Sequence, residues 1–171
     1  MVQRGTPDYD EAVQVGAALA QAGYTVMTGG YSGIMEAVSR GANEVGGEVV
    51  GVTTEQLETL RAARINDWVT EHIPYPKLAE RLNHLVREAD GYVVMPGGVG
   101  TLGELTLAWE YMRVEEIPMR PLVCYGELWA RVLAAFVDDR YVPKSHQQMV
   151  TFAQTPQEVV SQLQQQMQEE K

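Results

Sequence analysis

Residues 90–104 read Asp-Gly-Tyr-Val-Val-Met-Pro-Gly-Gly-Val-Gly-Thr-Leu-Gly-Glu. An apolar strand runs into a glycine turn, and the turn opens a helix that carries a carboxylate. A strand that leaves through such a turn into a helix feeds a β-α-β crossover, so this stretch points to a parallel sheet with helices on its faces. The same pattern recurs along the chain. Thr6-Pro7 reads as an N-cap followed by proline at the first helical position, and Tyr9, Ala12, Val13, Gly16, Leu19 and Ala20 keep helical spacing up to Gly23. Strands are expected over 24–28, 48–53, 69–73, 90–95, 121–124 and 149–152. Helices are expected from Ser32 to about residue 45 and over 76–89, 101–114 and 127–139. Thr155-Pro156-Gln157-Glu158 reads as a capping box that starts a last helix, and residues 54–68 carry no clear period.

With 171 residues, 45% of them hydrophobic, the chain suits one domain over residues 1–171. The expected architecture is α/β: a Rossmann-like three-layer αβα arrangement around a mostly parallel sheet, with ligands beyond the strands' carboxyl ends. A formal net charge of −10 argues against a nucleic-acid binder, which needs clustered Lys and Arg. There is no apolar run of about 18 residues and no basic-then-apolar leader, so no membrane partner is expected and a cytoplasmic location is. Cys124, the only cysteine, lies in an apolar run and reads as a small buried hydrophobe. His72, His84 and His146 lack metal-ligand spacing, so no metal is expected.

Two strand-to-helix junctions are glycine-rich: Thr28-Gly29-Gly30-Tyr31-Ser32-Gly33 and Pro96-Gly97-Gly98-Val99-Gly100-Thr101. Backbone amides at such turns, with the unsatisfied N–H groups of a helix start, favour an anion. On one sheet edge the two turns can clasp one nucleotide. Residues 98–103 also satisfy G-x-G-x-x-G, but the match comes late in the chain and lacks an acid about 20 residues on at the end of the next strand. A triphosphate loop is excluded more plainly, because no G-x-x-x-x-G-K-[ST] occurs and the three lysines (Lys77, Lys144, Lys171) lie elsewhere.

Glu104 follows Thr101 by three residues, so it either closes a capping box or stands in the first helical turn as a reactive carboxylate. In the second role it can deprotonate water or a sugar hydroxyl, or meet the positive charge that develops on ribose as a glycosidic bond breaks. On the 76–89 helix, the stripe of Leu78, Leu82, Leu85, Val86 and Ala89 leaves Arg81 at its edge, able to reach over the sheet's end, and Arg87 on the far side. On the 101–114 helix, Leu105, Leu107, Ala108, Trp109, Tyr111 and Met112 cover more circumference than one sheet face buries. This suggests packing against a partner chain.

Pro96-Gly97-Gly98-Val99-Gly100-Thr101-Leu102-Gly103-Glu104 resembles the Pro-Gly-Gly-x-Gly-Thr-x-x-Glu signature of the LOG (lonely guy) family, formerly described as lysine decarboxylase-like. Gly29-Gly30-Tyr31-Ser32-Gly33-Ile34-Met35 resembles that family's upstream glycine motif, and Arg81 falls at the spacing of its active-site arginine. The resemblance spans roughly residues 8–140. It implies a Rossmann-like dimer or higher homo-oligomer that hydrolyses the N-glycosidic bond of cytokinin riboside 5′-monophosphates, or AMP, to free base and ribose 5-phosphate without a cofactor. It also implies Arg81 and Glu104 as catalytic and Gly30, Gly33, Met35, Gly97, Gly98, Gly100 and Thr101 as substrate-binding, with Gly98, Gly100 and Thr101 on the 5′-phosphate. No lysine is placed to hold pyridoxal phosphate. Related Rossmann-like proteins bind molybdenum cofactor, so a non-catalytic nucleotide or cofactor carrier is the second expectation. The chain departs from the family at Leu82, where an Arg-Lys pair is usual, and at Glu36, where a glycine is usual. The family's usual first strand is expected to be missing ahead of the first helix.

Overall fold

The computed structural model describes residues 2–169. The chain divides into two units, Met1–Ala89 and Asp90–Lys171. The first runs α1 (Pro7–Gln21), β1 (Val26–Thr28), α2 (Ile34–Glu44), β2 (Val49–Thr54), α3 (Glu55–Arg61), β3 (Glu71–Tyr75) and α4 (Leu78–Arg87). The second runs β4 (Tyr92–Val94), α5 (Val99–Arg113), β5 (Leu122–Tyr125), α6 (Glu127–Phe136), α7 (Lys144–Gln147), β6 (Thr151–Ala153) and α8 (Pro156–Glu169). Each unit holds a three-stranded sheet, ordered β1-β2-β3 and β4-β5-β6, in which every pairing is parallel. Consecutive strands are joined through helices, as parallel pairing requires, and the expected α/β architecture is what is found. Among the described residues no strand precedes α1, and β1 pairs with β2 alone.

In the first unit α1 starts as its sequence dictates. Thr6 is extended, its hydroxyl accepts from the Tyr9 N–H at 3.4 Å, and Pro7 occupies the first helical turn, where its missing N–H costs nothing. Helices α1 and α2 meet backbone to backbone. A Cβ on Gly16 would lie 2.0 Å from the Val38 carbonyl oxygen, and one on Gly41 would lie 1.9 Å from that of Val13. Around this contact Ala12, Val15, Leu19, Ala37, Val38 and Ala42 are buried. Helix α4 packs on β2 and β3. Its buried residues are Val86 and Arg81, while Leu78 is exposed and Leu82 and Leu85 are half-buried.

In the second unit β5 is buried along its whole length, with Leu105, Ala108, Trp109 and Met112 of α5 and Trp129 and Leu133 of α6 also in the core. The last helix is capped nearly as expected. The Thr155 hydroxyl accepts from the Glu158 N–H at 3.2 Å, but the Glu158 carboxylate returns to the Gln154 N–H rather than to that of Thr155. Two short helices, α3 and α7, were not foreseen; neither buries a residue, so neither leaves a periodic apolar stripe to read.

Candidate functional site

The first glycine junction follows β1. Gly30 (φ 75°) and Gly33 (φ 79°, ψ −134°) hold positive φ values that side-chain-bearing residues rarely adopt, and Gly33 caps α2. Gly29 is needed for a different reason, namely close approach. A Cβ there would stand 1.9 Å from Nη2 of Arg81 and 2.6 Å from Sδ of Met35, so the guanidinium lies on the backbone of the turn with Met35 beside it. Arg81 is only 6% exposed, deeper than the edge position the helical period suggests, because its Nε donates to the Val52 carbonyl oxygen at 2.8 Å. Its guanidinium carbon stands 5.8 Å from the centre of the Tyr31 ring. The structure therefore brings Gly29, Gly30, Met35 and Arg81 to the carboxyl ends of β1 and β2, where ligands of parallel sheets bind.

Tyr31, Thr54 and Asn66 hold this junction, and of the three only Tyr31 lies in the sequence motif. The Tyr31 hydroxyl donates to the Thr54 carbonyl oxygen at 3.0 Å and accepts from the Thr54 N–H at 2.8 Å, which pins the turn to the end of β2. Asn66 donates to the Gly30 carbonyl oxygen from its backbone N–H at 2.8 Å and from Nδ2 at 3.0 Å, and Nδ2 also lies 3.2 Å from the Tyr31 carbonyl oxygen. The one local signal for Asn66 is its own turn, in which Oδ1 accepts from the Trp68 N–H at 3.1 Å, as asparagine side chains commonly do two residues on. Beside the junction a hollow of about 160 Å³ opens next to Ser32, Glu36 and Asn66, with Glu36 accepting from Arg4 and Tyr9.

The second junction differs from expectation at its helix. Helix α5 starts at Val99, not Thr101, and its cap is Gly98, whose position carries no side-chain hydrogen bond. Thr101 is thus the third helical residue, and the capping box between Thr101 and Glu104 does not form. Glu104 stands in the second turn, not the first, on the face it shares with Gly100 and Thr101. It is half-buried and engaged in interactions of its own. Thr101 folds back over the turn, since a Cβ on Gly97 would meet its Oγ1 at 2.2 Å. A Cβ on Gly98, Gly100 or Gly103 would meet nothing within 4 Å, so the helix start presents bare backbone. The first N–H groups of any helix have no intrahelical acceptor, and Gly98, Val99 and Gly100 at this start are exposed. On the strand side, Trp129 Nε1 donates to the Met95 carbonyl oxygen at 3.0 Å and fixes the exit of β4 just before Pro96.

Other reactive side chains are occupied structurally. Cys124 is wholly buried and burial pushes its thiol up to about 12. His72 pairs with Thr53 at 2.8 Å and His84 with Tyr75 at 2.9 Å. The larger hollow of the second unit, about 600 Å³ at Arg120, Phe152 and Gln162, contains none of the candidate residues. Among the described residues no helix is long and apolar enough to cross a membrane.

Comparison with known proteins places the chain in a family. The family model described as "Possible lysine decarboxylase" matches residues 35–163, which take in Met35, Arg81 and the whole second junction. A rice (Oryza sativa subsp. japonica) protein described as a probable cytokinin riboside 5′-monophosphate phosphoribohydrolase, LOGL5, is 34% identical over 130 residues, covering 74% of this chain and 51% of the rice protein. The cytokinin riboside 5′-monophosphate phosphoribohydrolase of Mycobacterium tuberculosis is 40% identical over 99 residues, covering 57% of this chain and 52% of its own. The chain thus spans about half the length of these two relatives. Among solved structures, the molybdenum cofactor binding protein of Rippkaea orientalis superposes with a TM-score of 0.74 at 24% identity, over 96% of this chain and 91% of that one. The likeness is one of fold. On the family match and the phosphoribohydrolase relatives, the chain belongs to the lysine decarboxylase-like, or LOG, family.

Proposed function

We propose that the protein is a nucleoside 5′-monophosphate phosphoribohydrolase, cleaving cytokinin riboside 5′-monophosphate or AMP to free base and ribose 5-phosphate. The observation that carries this reading is the start of α5, where Glu104 shares a helix face with Gly100 and Thr101, and the glycine cap Gly98 leaves the first turn without a side-chain cap bond. Amides of that turn and Thr101, with Gly97 and Gly98, hold the 5′-phosphate. Glu104 takes a proton from water as the water oxygen bonds to C1′, and it faces the charge that builds on the ribose as the C1′–N bond breaks. The base leaves with that electron pair and gains a proton. By the family's motif, Arg81 is assigned a catalytic role as a cation and Gly30, Gly33 and Met35 substrate-binding roles. The chain works as one nucleotide-binding domain, without a cofactor, in the cytoplasm where phosphorylated nucleotides are held, and as a homodimer or higher homo-oligomer through α5.

The test is to incubate the purified protein with AMP and with isopentenyladenosine monophosphate and to separate the products by chromatography. Free base is expected from wild type, falling by at least about 10²-fold in Glu104→Gln and in Arg81→Ala while nucleotide binding persists in Glu104→Gln. Bound, uncleaved nucleotide with the wild-type protein would support instead a non-catalytic nucleotide- or cofactor-binding protein, the molybdenum cofactor binding protein of similar fold being described as a binder.

A further inference from the structure

We propose that Asn66 is a positioning residue for Arg81, acting through the backbone of Gly30 and Tyr31. Arg81 lies in a slot with three walls: the Gly29 backbone, the Tyr31 ring and the Val52 carbonyl oxygen. Two of these walls belong to the tripeptide 29–31, which has no regular pairing of its own beyond β1. Its shape depends on the left-handed Gly30, a conformation that glycine permits but does not impose. Asn66 imposes it. Three donor contacts from this one residue reach the Gly30 and Tyr31 carbonyl oxygens, so two successive peptide planes are fixed. With these peptides trans, fixing the carbonyls also fixes the Tyr31 and Ser32 N–H groups on the opposite side.

The clamp is itself braced. Oδ1 of Asn66 is turned by the Trp68 N–H, which orients the amide so that Nδ2 faces the glycine turn. The Tyr31 ring is then held at both ends, by Asn66 at its backbone and by Thr54 at its hydroxyl. A ring so held keeps a guanidinium beside it in one place, which is what a positioned cation requires. Asn66→Ala removes the side-chain donors and leaves the backbone N–H bond to Gly30, so the turn loosens without being lost.

Two readouts test this, of which only the second rests on the proposed activity. The first is the rate at which phenylglyoxal modifies Arg81, read by peptide mass spectrometry against the exposed Arg87 of the same helix. In Asn66→Ala, and in the milder Asn66→Ser, Arg81 is expected to label at least about fivefold faster than in wild type. The Arg87 rate should stay unchanged, and the thermal transition should remain cooperative. Equal Arg81 labelling in folded variants would overturn the proposal. The second is steady-state kinetics with AMP, where kcat should fall at least about tenfold while KM stays within about threefold, the pattern of a misplaced group rather than a lost binding contact. Wild type without turnover would defeat the phosphoribohydrolase reading and leave the labelling result standing. An active wild type with unchanged kcat in Asn66→Ala would defeat the positioning role alone.

Discussion

Gly29 has no side chain because Arg81 lies where one would begin. The atoms a Cβ would strike, Nη2 of Arg81 and Sδ of Met35, are ends of flexible side chains, so the backbone can stay while the guanidinium gives way. Gly29→Ala is therefore expected to fold with a loss of about 1–2 kcal/mol in urea denaturation, the lower part of the usual cost of overpacking. Turnover should fall by at least about tenfold, because the displaced guanidinium is the cation proposed to serve the reaction. Unaltered turnover would separate Arg81 from the chemistry. Cys124 offers a test that is independent of function. An unfolded thiol ionises near pH ~8.5, whereas burial holds the folded one to about 12. The folded chain thus keeps a proton that the unfolded chain releases, and the stability present below that lower value is lost as pH rises through the window. Between pH 8 and 10 the wild type should lose about 2 kcal/mol more than Cys124→Ala in matched urea titrations. Parallel slopes would contradict a buried thiol.

At the scale of elements, the contact between α1 and α2 is the firmest structural claim, because it sets backbone against backbone. Gly41→Ala would gain about 1 kcal/mol of helix propensity. Its new methyl would nevertheless stand 1.9 Å from the Val13 carbonyl oxygen, and no rotamer change relieves that. Overpacking wins: a net loss of about 2 kcal/mol or more is expected, read as a melting temperature lowered by at least about 5 °C. Strand and helix alternation was legible because most helices keep an apolar period and most strands an apolar run. What was not legible has physical causes. Helices α3 and α7 bury nothing. The start of α5 was misread because Thr101 and Glu104 have the spacing of a capping box, while Gly98 caps the helix with no side chain to announce it. Arg81 could be placed by period on the face near the sheet, but its depth depends on the Val52 carbonyl, which no period reveals. Asn66 was invisible for the same reason, since its partners Gly30 and Tyr31 lie 36 and 35 residues away.

For the whole molecule, the second junction and the outer face of α5 carry the consequences. Leu105, Ala108, Trp109 and Met112 bury one stripe of α5, while Leu107 and Tyr111 are half-buried, Val99 is 88% exposed and Val114 is 50% exposed. A second copy covering that face is the proposed assembly, and sedimentation should give a mass of two chains or more that Leu107→Glu lowers towards one. A wild-type monomer at micromolar concentration would contradict it. On the proposed function, the glycine turn holds the phosphate and Glu104 carries the hydrolysis. The most direct test is the amount of product per chain when AMP or isopentenyladenosine monophosphate is in large excess over protein. Free base and ribose 5-phosphate are expected in equal amounts, both well above the protein concentration, with Glu104→Gln binding nucleotide but forming neither. Saturation at one intact nucleotide per chain, with no base released, would contradict it.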